Sequence, residues 1–576
     1  MNTPQLCRAP DRDVQQQTLV CRKRGIAHAS IAICLVAANA HAQLRPDAGQ
    51  TLDTVRPPPA IPNSNPAAAL PTQDERPALS APDAQRIPVR RWRVTGNKAF
   101  STTELNALIQ DRLGQDLTLS ELDATAARIT AYYRQHGYLL ARAYLPEQDI
   151  HDGDVEIVVL EGRLAAVNVA NTSSVSAPNI SEYIERLQTA GPIQGQVLER
   201  SLLLLNDLPG VEVRSTLKPG ATVGASDLDL RVRDAGRLDG NVDADSFGNR
   251  YTGAFRAGGT LNLNSPFHRG DRFTLRANTS GSGMAYGRAA WQTPLGGNGW
   301  QVGIAWSDLH YELGKDFKSL DAHGTAQVGS LWAAYPLVRS QVRSLTVRLS
   351  YDDKRLNDRI DTTATNSHKT LDVWTLGLTA DRTDSFGGGG VMSFSLDVIG
   401  GRLSLDSKTA ALDQGIGGHR TEGRYGKLAY NVSRLQRLSD RLLFYAALSG
   451  QVSNKNLDSS ETESIGGVYG VRAYPQGEAV GAQAEILNLE LRWGLPRMPE
   501  VQALLFADAG TVKVNHSPLA TDTDNRRTLA GEGIGAQWVR PERLALKAYI
   551  AWRSGPKPTS ETDRQPRFWL QFAQYF

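Results

Sequence analysis

The chain has 576 residues and a formal net charge of +3. That is too much chain for one ordinary globular core, and so small a charge gives no ground for a nucleic-acid partner. Mean hydropathy is -0.35, and the sequence has no apolar run of the ~18 residues that a membrane-spanning helix needs.

At the N-terminus, Lys23 and Arg24 precede the apolar run IAHASIAICLVAANAHA, which closes on Ala40-His41-Ala42. A basic region, an apolar stretch and an A-x-A site make residues 1–42 an export signal, with Gln43 the expected first residue of the mature chain. Cys7, Cys21 and Cys34 all lie inside that signal. The mature chain is therefore expected to form no disulfide and no thiolate metal site. An exported chain without disulfides needs a large core or a closed sheet.

Residues 43–86 are rich in proline, alanine and polar side chains, which is linker composition. Within them PDAGQTLDTVR has the pattern for about two helical turns, marginal on its own. From Ile87 the texture changes. IPVRRWRVTG reads as a strand and STTELNALIQDRLG as a helix. TLSELDATAARITAYYRQHG reads as a second helix: Thr118 and Glu121 have capping-box spacing, Leu122, Ala126, Ile129 and Tyr133 share a face, and Gly137 stands where a helix ends. LLARAYLP and DVEIVVLEG are strands. The β-α-α-β-β order then recurs as RLAAVNVA, ISEYIERLQ, GQVLERSLLLLNDL, VEVRSTLKPG and SDLDLRVRD. Two tandem units are expected, at 87–162 and 163–235.

Residues 236–576 lose the helical period and alternate instead. Leu487, Leu489, Leu491 and Trp493 oppose Ile486, Asn488, Glu490 and Arg492; Leu544, Leu546, Ala548, Ile550 and Trp552 oppose Lys547, Tyr549 and Arg553. Leu442, Phe444, Ala446 and Leu448 form another apolar face. Short turns such as PLVRS and RPER alternate with long polar connections such as GPKPTSETDRQPR. A greasy face, a charged face, short turns on one rim and long loops on the other fit a membrane barrel better than a soluble sandwich. At about 21 residues per strand and connection, 16 strands are expected. The last segment, RFWLQFAQYF, sets Phe568, Leu570, Phe572 and Phe576 on one face, broken at Gln574. It is the strand that would close the barrel on the first.

Taken together, these features resemble the two-partner secretion outer-membrane transporters of the haemolysin secretion/activation type. GYLLARAYLPEQDIHDGDVEIVVLEGRL resembles the end of that family's first POTRA domain, and LERSLLLLNDLPGVEVRSTLKPG the core of its second. PDAGQTLDTVR resembles the helix that plugs the lumen. The resemblance implies a mainly β fold, a 16-stranded transmembrane antiparallel barrel after two periplasmic α+β POTRA domains. It also implies secretion of a large unfolded exoprotein, a haemagglutinin- or haemolysin-like adhesin or toxin, captured by the POTRA domains. Outer-membrane lipid and the barrel assembly machinery are the other implied partners, with Phe576 resembling the C-terminal assembly signal.

GVYGVRAYPQGEAVG, residues 467–481, resembles the family's hallmark loop, usually VRGY or VRGF. Here it reads Val471, Arg472, Ala473 and Tyr474. In the family this loop folds back into the barrel and its arginine meets the aspartate of an F-x-D-x-G strand, represented here by Phe506, Asp508 and Gly510. Those three share parity and can all face the lumen. Alanine at 473 lacks the backbone freedom of glycine. From the residues alone, a solvated loop cation and an aspartate facing wet lumen are an equal alternative.

No catalytic constellation appears. The histidines from His136 to His516 are far apart, no G-x-S-x-G occurs, and GRYGKL lacks phosphate-loop spacing. A transporter without cofactor or nucleic-acid partner is therefore expected, not an enzyme. The rival readings are a barrel insertase of the same superfamily and a porin-like channel.

Overall fold

The computed structural model describes residues 45–55, 86–188 and 191–576. The expected signal at 1–42 and most of the proline-rich linker lie outside the described residues. A helix at Ala48–Thr54 opens the described chain.

Residues 87–162 form an α/β unit. Its three-stranded sheet has Asp154–Leu160 in the centre, Arg91–Thr95 parallel on one side and Arg142–Tyr144 antiparallel on the other. Val155, Ile157 and Val159 alternate inward against the helix Leu119–Gln135, whose Leu122, Ala126, Ile129 and Tyr133 are buried. The capping box is complete: the Glu121 N–H donates to Thr118 Oγ1 (3.2 Å), and the Thr118 N–H donates to Glu121 Oε2 (2.8 Å). Gly137 follows at φ 90°, as a helix-ending glycine does.

The other expected helix is cut short. It runs Thr102–Ala107, with a 3-10 turn at Gln110–Arg112, rather than 101–114. Tertiary pairing overrides propensity there: the Gly114 N–H donates to Val89 O and the Val89 N–H to Gln115 O, so the backbone is taken by a strand pair. The strand expected across LLARAYLP shrinks to Arg142–Tyr144, since Leu139–Ala141 turn and Pro146 has no donor.

Thr118→Ala is expected to destabilise this unit by about 1 kcal/mol, read by denaturant unfolding. The Thr118 backbone N–H holds the Glu121 carboxyl below its usual range. A depressed carboxylate stabilises above its unfolded pKa and loses that contribution as pH falls through its folded pKa. Thr118→Ala keeps that backbone N–H, so the pH test uses Glu121→Ala: the gap between parent and E121A should narrow in acid, and a gap constant from neutral pH to pH 3, on the order of the carboxylate range, would refute this half of the capping box.

The second unit repeats the plan. Arg163–Thr172, Ala225–Asp234 and Val211–Pro219 make its sheet, covered by Ala177–Ile184 and Gly195–Asn206. It docks on three consecutive short turns of the large sheet that follows. Arg339 makes two 2.7 Å bonds to Asp207, Arg200 donates to Pro336 O (2.6 Å), and the Gln341 N–H donates to Glu199 Oε1 (2.7 Å). The Ser176 N–H donates to His268 O (2.9 Å), and Leu204 packs where Gly299 has no side chain.

That sheet is a closed antiparallel barrel of sixteen strands, from Leu238–Asp245 to Arg567–Tyr575. Period-two alternation gives its two faces. Leu487, Leu491 and Trp493 are 40, 37 and 48 % exposed, and Phe568, Leu570 and Phe572 point the same way, outward. Asn488, Glu490 and Arg492 point into the lumen. Large apolar side chains turned outward around a closed wall, with every strand paired, is the arrangement a lipid surroundings requires. One rim carries short turns such as 340–342 and 541–543; the other carries long loops, the longest being 454–482.

Candidate functional site

The long loop 454–482 does not leave the barrel; it folds back into the lumen. A two-residue ladder, Glu463–Ser464 against Val480–Gly481, holds its base, and the Val471 N–H donates to Ile465 O (2.8 Å). Gly467 (φ 122°) and Gly477 (φ 86°) take the positive-φ corners that other residues adopt at a cost.

Arg472 lies at its tip, 3 % exposed. Its Nε and Nη2 donate to the two oxygens of Asp508 (2.8 and 2.7 Å), and its own backbone N–H adds a third bond to Asp508 Oδ2 (3.1 Å). Nη1 donates to Glu490 Oε1 (2.6 Å), while Arg492 Nε donates to Glu490 Oε2 (2.8 Å). The guanidinium lies 3.7 Å from the Phe506 ring centre and 5.2 Å from that of Tyr549. Two arginines and two carboxylates thus close a buried, charge-balanced quartet. Forked donors and planar acceptors are what make such a pair directional. The Asn488 side chain completes it, donating to Gly470 O and to Asp508 Oδ1 (both 2.8 Å).

Local sequence makes room for the loop. Ala473 keeps a negative φ, so no glycine is required there. Its methyl meets Gly531 instead: a Cβ on Gly531 would lie 2.4 Å from Ala473 Cβ. Phe506 sits over Gly533, and Val471 packs against Gly510. Tyr474 is fully buried and donates to Pro556 O (2.7 Å). Arg472, Asp508, Phe506 and Gly510 therefore come together, with Val471, Ala473 and Tyr474 seating the tip. Phe576 stands apart, on the outer face at the seam, exchanging backbone bonds with Gly240 (3.0 and 3.1 Å).

The N-terminal helix occupies the lumen beside the loop. Asp47 caps it, accepting from the Gln50 N–H (3.0 Å), and the Ala48 N–H donates to Asp358 Oδ1 on the wall (2.8 Å). Lys369 Nζ lies 3.2 Å from Asp47 Oδ2 and 2.8 Å from Asp458 Oδ2. Gly49 packs so closely on Ser460 of the loop that a Cβ would lie 2.5 Å from its Cα. Glu461 is held between Lys354 (2.6 Å) and Lys427 (3.0 Å). Helix and loop are thus fastened to the wall by buried ion pairs and to each other by close packing.

Three site residues escaped the sequence reading. Glu490 and Arg492 were legible as inward-facing, but nothing local says that Glu490 stands across from Phe506 in the next strand. Lys369 gave no signal, since its partners Asp47 and Asp458 are 322 and 89 positions away.

A family model described as haemolysin secretion/activation protein ShlB/FhaC/HecB matches residues 224–538, and one described as POTRA domain, ShlB-type, matches 87–162. Heme/hemopexin transporter protein HuxB of Haemophilus influenzae (strain 86-028NP) is 27% identical over 496 residues, covering 83% of this chain and 85% of that protein. Hemolysin transporter protein ShlB of Serratia marcescens is 25% identical over 414 residues, 69% of this chain and 70% of that one. Among solved structures, CdiB from Escherichia coli superposes with a TM-score of 0.69 at 21% identity, over 88% of this chain and 94% of that one.

Proposed function

The chain belongs to the haemolysin secretion/activation protein family ShlB/FhaC/HecB, and from that premise we propose how its parts divide the work of export. It is a two-partner secretion transporter of the outer membrane, and its barrel is the conduit for a partner exoprotein. The two units at 87–162 and 163–235 are POTRA domains that sit in the periplasm beside the short-turn rim. Each sheet there has a strand paired on one side only, Arg91–Thr95 and Arg163–Thr172. Such an edge takes up an extended, unfolded chain by adding it as a strand.

The observation that carries this reading is the way the lumen is filled. It holds two separate chain segments, fastened to the wall by ion pairs and seated on apolar wall side chains such as Leu309 and Leu356 for the helix and Ile486 and Phe506 for the loop. The N-terminal helix and the loop therefore act as removable stoppers, with Arg472 and Asp508 setting the resting position. The cargo is a large haemagglutinin- or haemolysin-like adhesin or toxin. Its folding outside the cell supplies direction. Residues 1–42 direct export of the transporter itself, and the barrel assembly machinery reads the strand ending in Phe576 and inserts the barrel into outer-membrane lipid.

Deleting the gene and comparing culture supernatant, cell surface and outer membrane by proteomics tests the assignment. One large exoprotein should vanish from outside while other barrels stay at parental levels. A collective fall of outer-membrane proteins would instead mean an insertase, and the stopper mechanism would be wrong.

A further inference from the structure

We propose that the outer face of the wall carries a phosphate-binding site for the phosphorylated glycolipid of the outer leaflet, formed by Arg402 and Arg424 at the root of the long loop 406–422.

The wall strands Gly390–Leu405 and Gly423–Arg437 flank that loop. On their outward face stand, in register, the pairs Leu396↔Tyr430, Val398↔Leu428, Gly400↔Gly426 and Arg402↔Arg424. Their inward neighbours fix the direction: Leu403 and Tyr425 are buried in the lumen-side cluster that also holds Ala48 of the N-terminal helix. The outward series thus runs from apolar rows, past a glycine row, to two directly opposed arginines near the long-loop rim. Both arginines are exposed.

Like charges directly opposite each other on neighbouring strands are destabilising. Nothing in the chain offsets that here. Among the described residues, neither Arg402 nor Arg424 makes a hydrogen bond, an ion pair or a ring contact. The carboxylates of the same row are engaged elsewhere. Asp372 stands across from Arg402 but accepts from the Tyr351 hydroxyl (2.6 Å), and Asp353, next along the row, accepts from Arg355 Nε (3.0 Å). By contrast Arg434, at the short-turn end of the same strand and face as Arg424, is held by both oxygens of Asp384 (2.9 Å each).

The surface beside the arginines is shaped to receive a headgroup. A side chain on Gly400 would meet open space, so the wall is recessed there. Over Gly426 lies the side chain of Asn454. Its oxygen accepts from the Gly426 N–H (2.9 Å), and its NH2, 3.2 Å from where a Cβ would stand, has no acceptor among the described residues. Two guanidinium forks and an amide NH2 are a donor set for phosphate oxygens. Arginine stems lie along apolar wall while their heads reach the headgroup level. Val398 and Leu428, on the far side of the glycine row, offer acyl chains an apolar seat, which selects a lipid phosphate over a free one. The inference rests on the functional reading only in taking the long-loop rim as the outer one.

The test uses the full chain purified in detergent and does not depend on export. Lipid A is titrated, by native mass spectrometry, into the parent and into Arg402→Gln/Arg424→Gln. The parent should bind it at least about tenfold more tightly, with Arg402→Lys/Arg424→Lys between, since an ammonium keeps the charge and loses the fork. Lipid A stripped of its phosphates should bind the parent as weakly as intact lipid A binds the double variant. Equal affinity of parent and double variant overturns the site. Inorganic phosphate that displaces lipid A at equal concentration overturns the choice of a lipid. Phosphatidylglycerol bound more tightly than lipid A overturns the choice of leaflet, and leaves the transport reading standing. If the double variant does not fold, the single changes Arg402→Gln and Arg424→Gln should each weaken lipid A binding at least about threefold. Parental affinity in both would refute the proposal.

Discussion

Arg472→Ala is expected to free the fold-back loop and to lower export of the partner exoprotein by at least about tenfold. Removing the cation strands Asp508 and Glu490, 4 and 7 % exposed, inside the wall. Deleting one member of a buried ion pair costs about 3–5 kcal/mol, and at about 1.4 kcal/mol per factor of ten the docked loop loses roughly two to three and a half orders of magnitude in population. Arg472→Lys should recover only part of this, because one ammonium cannot serve two carboxylates with a planar fork. The informative variant is the exchange Arg472→Asp/Asp508→Arg. Glu490 also faces position 472, so the exchange brings two carboxylates together and should rescue weakly. Adding Glu490→Gln removes that repulsion and should raise export further. Secretion is read by quantifying the exoprotein in the supernatant, and docking by protease cleavage within 454–482. A triple variant no better than Arg472→Asp alone would eliminate direct pairing as the cause.

Lys369→Met should unplug the N-terminal helix. Lys369 lies between Asp47 and Asp458, and Asp358 adds a third carboxylate at the first turn of the helix. Without the ammonium, three acids repel one another where water is scarce, a loss again of about 3–5 kcal/mol. Single-channel recording in planar bilayers should show a larger, longer-lived conductance than the parent. The change should persist at high salt, since partly buried pairs are screened little. Lys369→Met/Asp47→Asn removes the charge next to the vacancy and should restore part of the closure. Parental traces from Lys369→Met would mean that packing of Gly49 on Ser460 holds the helix unaided.

How far the sequence reads depends on whether a contact lies along one element or between distant ones. Alternation sorted Leu487, Leu489, Leu491 and Trp493 from Asn488, Glu490 and Arg492 correctly, because period two is a property of a single strand. The strand count of sixteen followed from the same signal and from turn spacing. The capping box at Thr118 and Glu121 was likewise local. The Arg472–Asp508 pair came from family resemblance, since residues alone left a solvated cation equally open. Glu490 stayed hidden because register between strands sets which inward residues meet. Lys369 stayed hidden because its cluster joins an N-terminal helix, a loop and two strands. The truncated helix at Thr102–Ala107 failed for a related reason: the partner strand that claims Gly114 and Gln115 lies 25 or so positions upstream, outside any helical window. Ala473, which departs from the family pattern, is accommodated by a residue the loop sequence cannot reveal, Gly531 in the facing wall.

The docking of the second α/β unit gives the barrel a load path. Its Asp207 and Glu199 grip the turn 340–342, where the hairpin of Ala322–Arg339 and Arg343–Ile360 reverses. At about 3.3 Å per residue each of these 18-residue strands runs roughly 60 Å. At the far end of the same hairpin, Asp358 holds the first N–H of the N-terminal helix. The second unit, this one hairpin and the N-terminal helix therefore form a continuous line of contacts from one rim of the barrel to the other.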